Sequence, residues 1–109
     1  MKLSCLPVSF FKDIYAGRLT LGQFALLARR LGLDAIDVTV AFFRGKTAIE
    51  IEEIRQQIRE AQVDVAMLVA YPDLTHPDAQ ARAAQRLQLD EDIALASFLG
   101  AQYVRVTAG

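Results

Sequence analysis

The sequence predicts an α/β fold: part of a (β/α)8 TIM barrel with about four parallel strands and three helices. Three observations lead there. Short β-branched or apolar runs alternate with amphipathic runs, strand starts recur at intervals of roughly thirty residues, and nothing signals a strand reversal. Repeated β-α units joined by right-handed crossovers place every helix on one side of a curving parallel sheet, whereas a doubly wound sheet needs helices on both faces.

The first strand candidate spans Leu3 to Phe10, with Pro7 marking an irregular stretch. Thr20-Leu21-Gly22-Gln23 then reads as a capping box, with Leu19 and Phe24 placed as a hydrophobic staple. Phe24, Leu27, Ala28 and Leu31 form the apolar stripe of that helix, and Gly32 supplies its stop. The second strand, Ala35 to Val40, alternates cleanly, with Ile36, Val38 and Val40 on one face and Asp37 and Thr39 on the other. Thr47-Ala48-Ile49-Glu50 is a second capping box, followed by Ile51, Ile54, Ile58 and Ala61 at helical spacing. The third strand, Val63 to Ala70, is almost wholly apolar and so reads as buried on both faces. A long helix from about Asp78 to Leu99 stops at Gly100, and Gln102 to Thr107 alternates as a fourth strand.

Composition narrows the function classes. The chain has 109 residues, 53% of them hydrophobic, with twelve basic and thirteen acidic side chains and one His. That apolar content argues against disorder, and the absence of a basic excess argues against coating nucleic acid. A single cysteine allows neither a disulfide framework nor a thiolate zinc site, which suits a reducing cytoplasm. Cys5 itself reads as a small hydrophobe. Pro7 and Lys12-Asp13 interrupt the N-terminal apolar run, and no stretch reaches the ~18 apolar residues of a spanning helix, so no membrane association is expected.

Asp37 and Arg105 lie on the non-aliphatic faces of alternate strands, and alternate strands of a filled barrel share an interior layer. A buried Arg needs such a partner, so the two either pair inward or both face solvent at an open sheet edge. Three and a half repeats of an eightfold plan cannot close a barrel, and the fourth strand has no helix after it. The expectation is an N-terminal portion of a single barrel domain, completed by the remainder of the barrel or by a homo-oligomer partner.

Ligands of such barrels bind on the loops after the strands. Phe10, Phe11, Phe42, Phe43 and Tyr71 fall there, where aromatic faces can cover the C–H face of a sugar. Capping the barrel core is the plainer role for the same rings. Arg44 and Lys46, just before the second capping box, offer cations for a phosphate or sugar acid, although a solvated loop is the commoner reason for such residues. His76, with Asp73 nearby, reads as a secondary metal ligand or a substrate contact in the full barrel, or else as a loop residue held by local hydrogen bonds; one His and one Asp do not by themselves make a metal site. The acidic run Asp90-Glu91-Asp92 reads as a solvated helix face.

Gly32-Leu33-Asp34-Ala35-Ile36-Asp37 resembles the second-strand entry of the xylose isomerase-like TIM barrels, the sugar phosphate isomerase/epimerase superfamily. Tyr71-Pro72-Asp73-Leu74-Thr75-His76-Pro77-Asp78, the long helix, Leu99-Gly100-Ala101 and Val104-Arg105-Val106-Thr107-Ala108-Gly109 are similar to the third and fourth β-α units of its bacterial members. One departure is Asp37, where members commonly carry a Glu. The resemblance implies an isomerase or epimerase that moves a proton next to a carbonyl, uses a divalent metal ion in the full-length enzyme, and acts on a small-molecule sugar or polyol. Its acid, base and metal ligands come mostly from later strands, so no catalytic or metal residue is assigned and the isolated chain is expected to be inactive. The candidate substrate contacts are Phe11, Phe43, Arg44, Lys46, Tyr71, Asp73, His76 and Arg105. Two alternatives carry other expectations. An apurinic endonuclease-like, metal-dependent nuclease would want a basic stripe and more histidines. A half-barrel assembly module without catalysis would form a discrete oligomer that binds no divalent metal.

Overall fold

The computed structural model describes residues 4–6 and 11–107. Four parallel strands form one sheet in chain order: β1 (Ser4–Cys5), β2 (Ala35–Thr39), β3 (Asp64–Ala70) and β4 (Tyr103–Val106). Four helices connect them: α1 (Phe11–Tyr15), α2 (Leu21–Arg30), α3 (Ala48–Glu60) and α4 (Ala79–Leu99). Sequential parallel order is what repeated right-handed β-α units dictate. The expectation of three helices omits α1, the short turn of helix after β1. Of the long first strand expected over Leu3 to Phe10, Ser4–Cys5 is present, and residues 1–3 and 7–10 lie outside the described residues.

Local chemistry sets the helix ends. Both capping boxes form: the Gln23 amide N–H donates to Thr20 Oγ1 and the Glu50 amide to Thr47 Oγ1. The Gln23 and Glu50 side chains accept in return from the Thr20 and Thr47 amides. Each cap is worth about 1 kcal/mol against Ala. Asp78 caps α4 by accepting from the Ala81 amide. Gly100 ends α4 at φ 76°, a left-handed conformation that costs a β-carbon about 1–2 kcal/mol. β2 stops at Thr39, one residue earlier than its alternation suggests. The Thr39 hydroxyl accepts from the Ala41 amide and tightens Val40–Phe42 into a 3-10 turn.

The sheet has two unlike faces. Ile36, Val38, Val65, Leu68 and Ala70 belong to the core shared with Phe24, Ala28, Ile58, Ala96 and Leu99 of the helices, and Val104 packs against it. The helices therefore cover this one face. Ile36, Val38 and Leu68 are fully buried, each contributing about 1.5–3 kcal/mol of transfer free energy. A register shift between Ile36 and Asp37 gives β3 an extra residue at Ala66, which keeps both Val65 and Leu68 on the helix side. The opposite face carries two hydrogen-bonded rows, Asp37–Met67–Tyr103 and Thr39–Val69–Arg105. Thr39 and Val69 are buried there, Asp37 and Met67 half-buried, and Tyr103 and Arg105 exposed.

Candidate functional site

The loops after β1 and β2, with the first turns of α2 and α3, enclose a cleft of about 430 Å³. Ile14, Tyr15 and Leu19 form its apolar side with Phe42, and the Tyr15 ring tilts against Phe42 at 5.6 Å between centroids. Arg44, Lys46, Glu50 and Glu53 supply its charges. Lys46 and Arg44 thus meet in one cleft, as their loop position suggests. Tyr15, Glu53 and Gln57 were not among the expected lining residues. The visible signal for α1 is the helical spacing of Phe11, Ile14 and Tyr15, overshadowed by the strand-like run before it.

Arg44 is not a loose loop cation. Its Nη1 donates to Asp92 Oδ1 at 2.9 Å and its Nη2 to Oδ2 at 3.2 Å, a two-pronged ion pair joining the β2–α3 loop to α4. Gln88 Nε2 adds a bond to Asp92 Oδ1 at 3.2 Å. Asp92 is 3% exposed, which corrects the reading of Asp90-Glu91-Asp92 as a uniformly solvated face. The physical reason is spacing: Asp92 lies in the stripe Leu89, Asp92, Ala96, Leu99, the side of α4 turned to the sheet. A carboxylate there requires a cation and hydrogen bonds, and Arg44 with Gln88 provides them.

The aromatic rim divides. Phe42 and Phe43 are both buried in the core cluster, and Phe43 lies outside the cleft lining; it serves packing where a ligand contact was expected. Phe42 ends the 3-10 turn and Phe43 follows it, and both side chains join the helix-side core. Phe10 and the Phe11 side chain lie outside the described residues. Tyr71 is exposed at the end of β3.

Asp73 and His76 belong to a separate, self-bonded loop between β3 and α4. Asp73 Oδ1 accepts from both the amide and the hydroxyl of Thr75, and Gln85 Oε1 accepts from the Asp73 amide. His76 Nδ1 accepts from the Asp78 amide at 3.0 Å, and Arg82 Nη1 donates to the His76 and Pro77 carbonyls. The local-hydrogen-bond role of His76 is thus present. Neither residue lines the cleft.

Glu50, in the cleft wall, titrates below its ordinary value. The Thr47 amide and then the Thr47 hydroxyl hold its carboxylate, Lys46 adds a favourable charge, and partial desolvation opposes them. Among the described residues no three His, Cys, Asp or Glu side chains converge as ligands for a metal ion. The donor set described here does not fit a metal centre, and no chemical step is assigned through one. No helix among the described residues is long and apolar enough to cross a membrane.

On the face away from the helices, the expected Asp37–Arg105 pair is not made. Asp37 Oδ1 is buried without a hydrogen-bond partner, and the exposed Arg105 lies one row further along the strands. The β2 and β4 alternation correctly puts both on one face; it does not fix the row.

A crystal structure of D-psicose 3-epimerase, determined in the presence of D-fructose, superposes on this chain with a TM-score of 0.74 at 18% sequence identity. The match covers 97% of this chain and 37% of that one, so the chain spans little more than a third of the epimerase. At that identity the likeness establishes the fold. No curated protein sequence matches. The sequence profile of the Xylose isomerase-like TIM barrel matches residues 25–109, from within α2 through β4. With four sequential parallel strands and every core-forming helix on one face, the chain belongs to the xylose isomerase-like TIM-barrel family.

Proposed function

We propose that this chain is the N-terminal portion of a sugar isomerase or epimerase barrel and supplies part of the substrate-binding wall, with the acid and base contributed by later strands. The observation that carries this reading is the superposition of nearly the whole chain on part of a ketose 3-epimerase. The family profile over residues 25–109 supports it.

The reaction class is proton transfer next to a carbonyl. A carboxylate base removes the proton from the carbon beside C=O, and the C–H electron pair forms an enediolate. Returning the proton to the opposite face of that carbon gives the epimer. Returning it to the former carbonyl carbon, with an O–H proton passing between the oxygens, gives the isomer. Within this chain, Lys46, Tyr71 and Arg105 are candidate contacts left open to solvent, while Arg44, Asp73 and His76 are held in place by bonds to the protein. A divalent cation in the complete site would polarise the substrate oxygens. A neutral sugar and a sugar phosphate both remain within this reading, and a cytoplasmic location suits it.

The test is solvent exchange. Protein expressed from the full reading frame, supplied with Mg²⁺ or Mn²⁺ and a panel of ketoses in D₂O, should wash deuterium into the carbon beside the carbonyl, seen by proton NMR. The 109-residue chain alone should show none. Absence of exchange across the panel in the full-frame protein refutes the proposal, and exchange by the 109-residue chain refutes the assignment of acid and base to later strands.

A further inference from the structure

The face away from the helices holds an unused acceptor and an unused donor. Asp37 Oδ1 is buried and has no hydrogen-bond partner among the described residues. The Arg105 guanidinium is exposed and makes no hydrogen bond or ion pair with the described residues. Both lie near the C-terminal ends of their strands, Asp37 two residues before the end of β2 and Arg105 one before the end of β4.

Barrel geometry brings them to one level. Strands of an eight-stranded barrel tilt by about 36° with a shear of eight, so a hydrogen-bonded row descends by about one residue per strand. The row partner of Asp37 on β4, reached through Met67, is Tyr103. The residue level with Asp37 is two further on, which is Arg105. Alternate strands contribute to the same interior layer, so these two side chains share a floor beneath the ligand-binding end.

We propose that Asp37 and Arg105 form a specificity floor that takes the uncharged, hydroxylated end of a polyol. A substrate hydroxyl donates its O–H to Asp37 Oδ1, and Arg105 donates N–H to a neighbouring hydroxyl or carbonyl oxygen. A hydroxylated carbon chain carries both donor and acceptor on adjacent atoms. A phosphate dianion, rich in acceptors and repelled by Asp37, does not satisfy the same pair. The inference rests on the sugar-processing reading above and narrows it: any phosphorylated end of the substrate points away from this floor.

The experiment uses protein from the full reading frame, with D-fructose as the probe and inorganic phosphate as competitor. Calorimetry gives Kd, and deuterium exchange is recorded separately. Asp37→Asn is isosteric and Arg105→Gln alters an exposed residue, so both should keep the far-UV circular dichroism of the parent. Each should weaken D-fructose binding by roughly 10-fold, the usual worth of one hydrogen bond to a charged group, and raise KM more than it lowers kcat. Phosphate up to ~10 mM should leave D-fructose binding unchanged, on the same reasoning about acceptor-only groups. Variants that bind within twofold of the parent overturn the floor, as does competition by phosphate. A joint, non-additive loss of Tm with unchanged Kd also overturns it, by assigning the two residues to a direct ion pair. If the parent binds D-fructose through this pair but exchanges no ketose, the proposed reaction falls and the floor stands. If the parent neither binds nor exchanges, both fall.

Discussion

Replacing Arg44 by Met removes two charge-assisted bonds, of 2.9 and 3.2 Å, from a carboxylate that is almost fully buried. Hydrogen bonds to charged groups contribute about 1.5–3 kcal/mol each. The Arg44 side chain is 48% exposed against 4% for Asp92, so water screens the pair from one side and the sum must be discounted by about half. The expected cost of Arg44→Met is therefore about 2–3 kcal/mol, or roughly 10 °C in Tm for a unit of this size. Asp92→Leu should behave differently. It removes the buried charge instead of stranding it, and the half-exposed Arg44 returns to water, so the expected loss is below about 1 kcal/mol. Arg44→Met with Asp92→Leu together should recover most of the damage of Arg44→Met alone. Urea unfolding of the four proteins completes a double-mutant cycle with a coupling of about 2–3 kcal/mol. Equal losses for the two single variants would refute the reasoning, because the asymmetry follows directly from which partner is buried.

Two further outcomes test the local chemistry. Gly100→Ala should cost about 1–2 kcal/mol by thermal unfolding, because φ is 76° and nothing lies within 4 Å of an added β-carbon, leaving conformational strain as the whole effect; a neutral result would mean the α4 stop is not left-handed in solution. Glu50 should contribute an acid-dependent component. Its folded-state pKa lies below the ordinary 4.5, so its stabilisation is present above that value and is lost as pH falls through the lower folded value. Glu50→Gln should flatten that part of the stability profile between pH 6 and 3, and an unchanged acid limb would exclude the capping carboxylate as its source.

What the sequence made legible was mostly local. Thr20 with Gln23 and Thr47 with Glu50 need only their own turns of backbone, and both capping boxes form as their spacing predicts. Gly100 is legible for the same reason. Asp92 was not, because its burial depends on a partner 48 positions away, and a charged residue in a short acidic run reads as solvated. Phe43 shows a related limit. Position after a strand suggests the rim, but the 3-10 turn capped by Thr39 and closed by the Phe43 amide on the Val40 carbonyl returns the chain to the core. The candidate site was legible as a set of loops and not as a constellation: Arg44 and Lys46 share a cleft, while Tyr71, Asp73 and His76 do not reach it.

The two faces of the sheet explain why fold and function separate so sharply along this chain. On the helix side Ile36, Val38, Val65, Leu68 and Ala70 of β2 and β3 close against apolar neighbours, and Ile36, Val38 and Leu68 retain no exposure. That side alone accounts for the family likeness, since packing of helix on strand is what a fold conserves at low identity. The other side carries a half-buried Asp37 whose Oδ1 is buried and unsatisfied, beside an exposed Tyr103 at 68% and an exposed Arg105. Apolar packing does not produce that arrangement, because an orphaned carboxylate oxygen lowers stability by about 1–3 kcal/mol without return. Local rules broken without compensation mark places selected for something other than folding. The face of β2 and β4 away from the helices, more than the outer cleft, is therefore where the proposed substrate contact is tested, and Asp37→Asn is the substitution that tests it with the least disturbance to the rest of the chain.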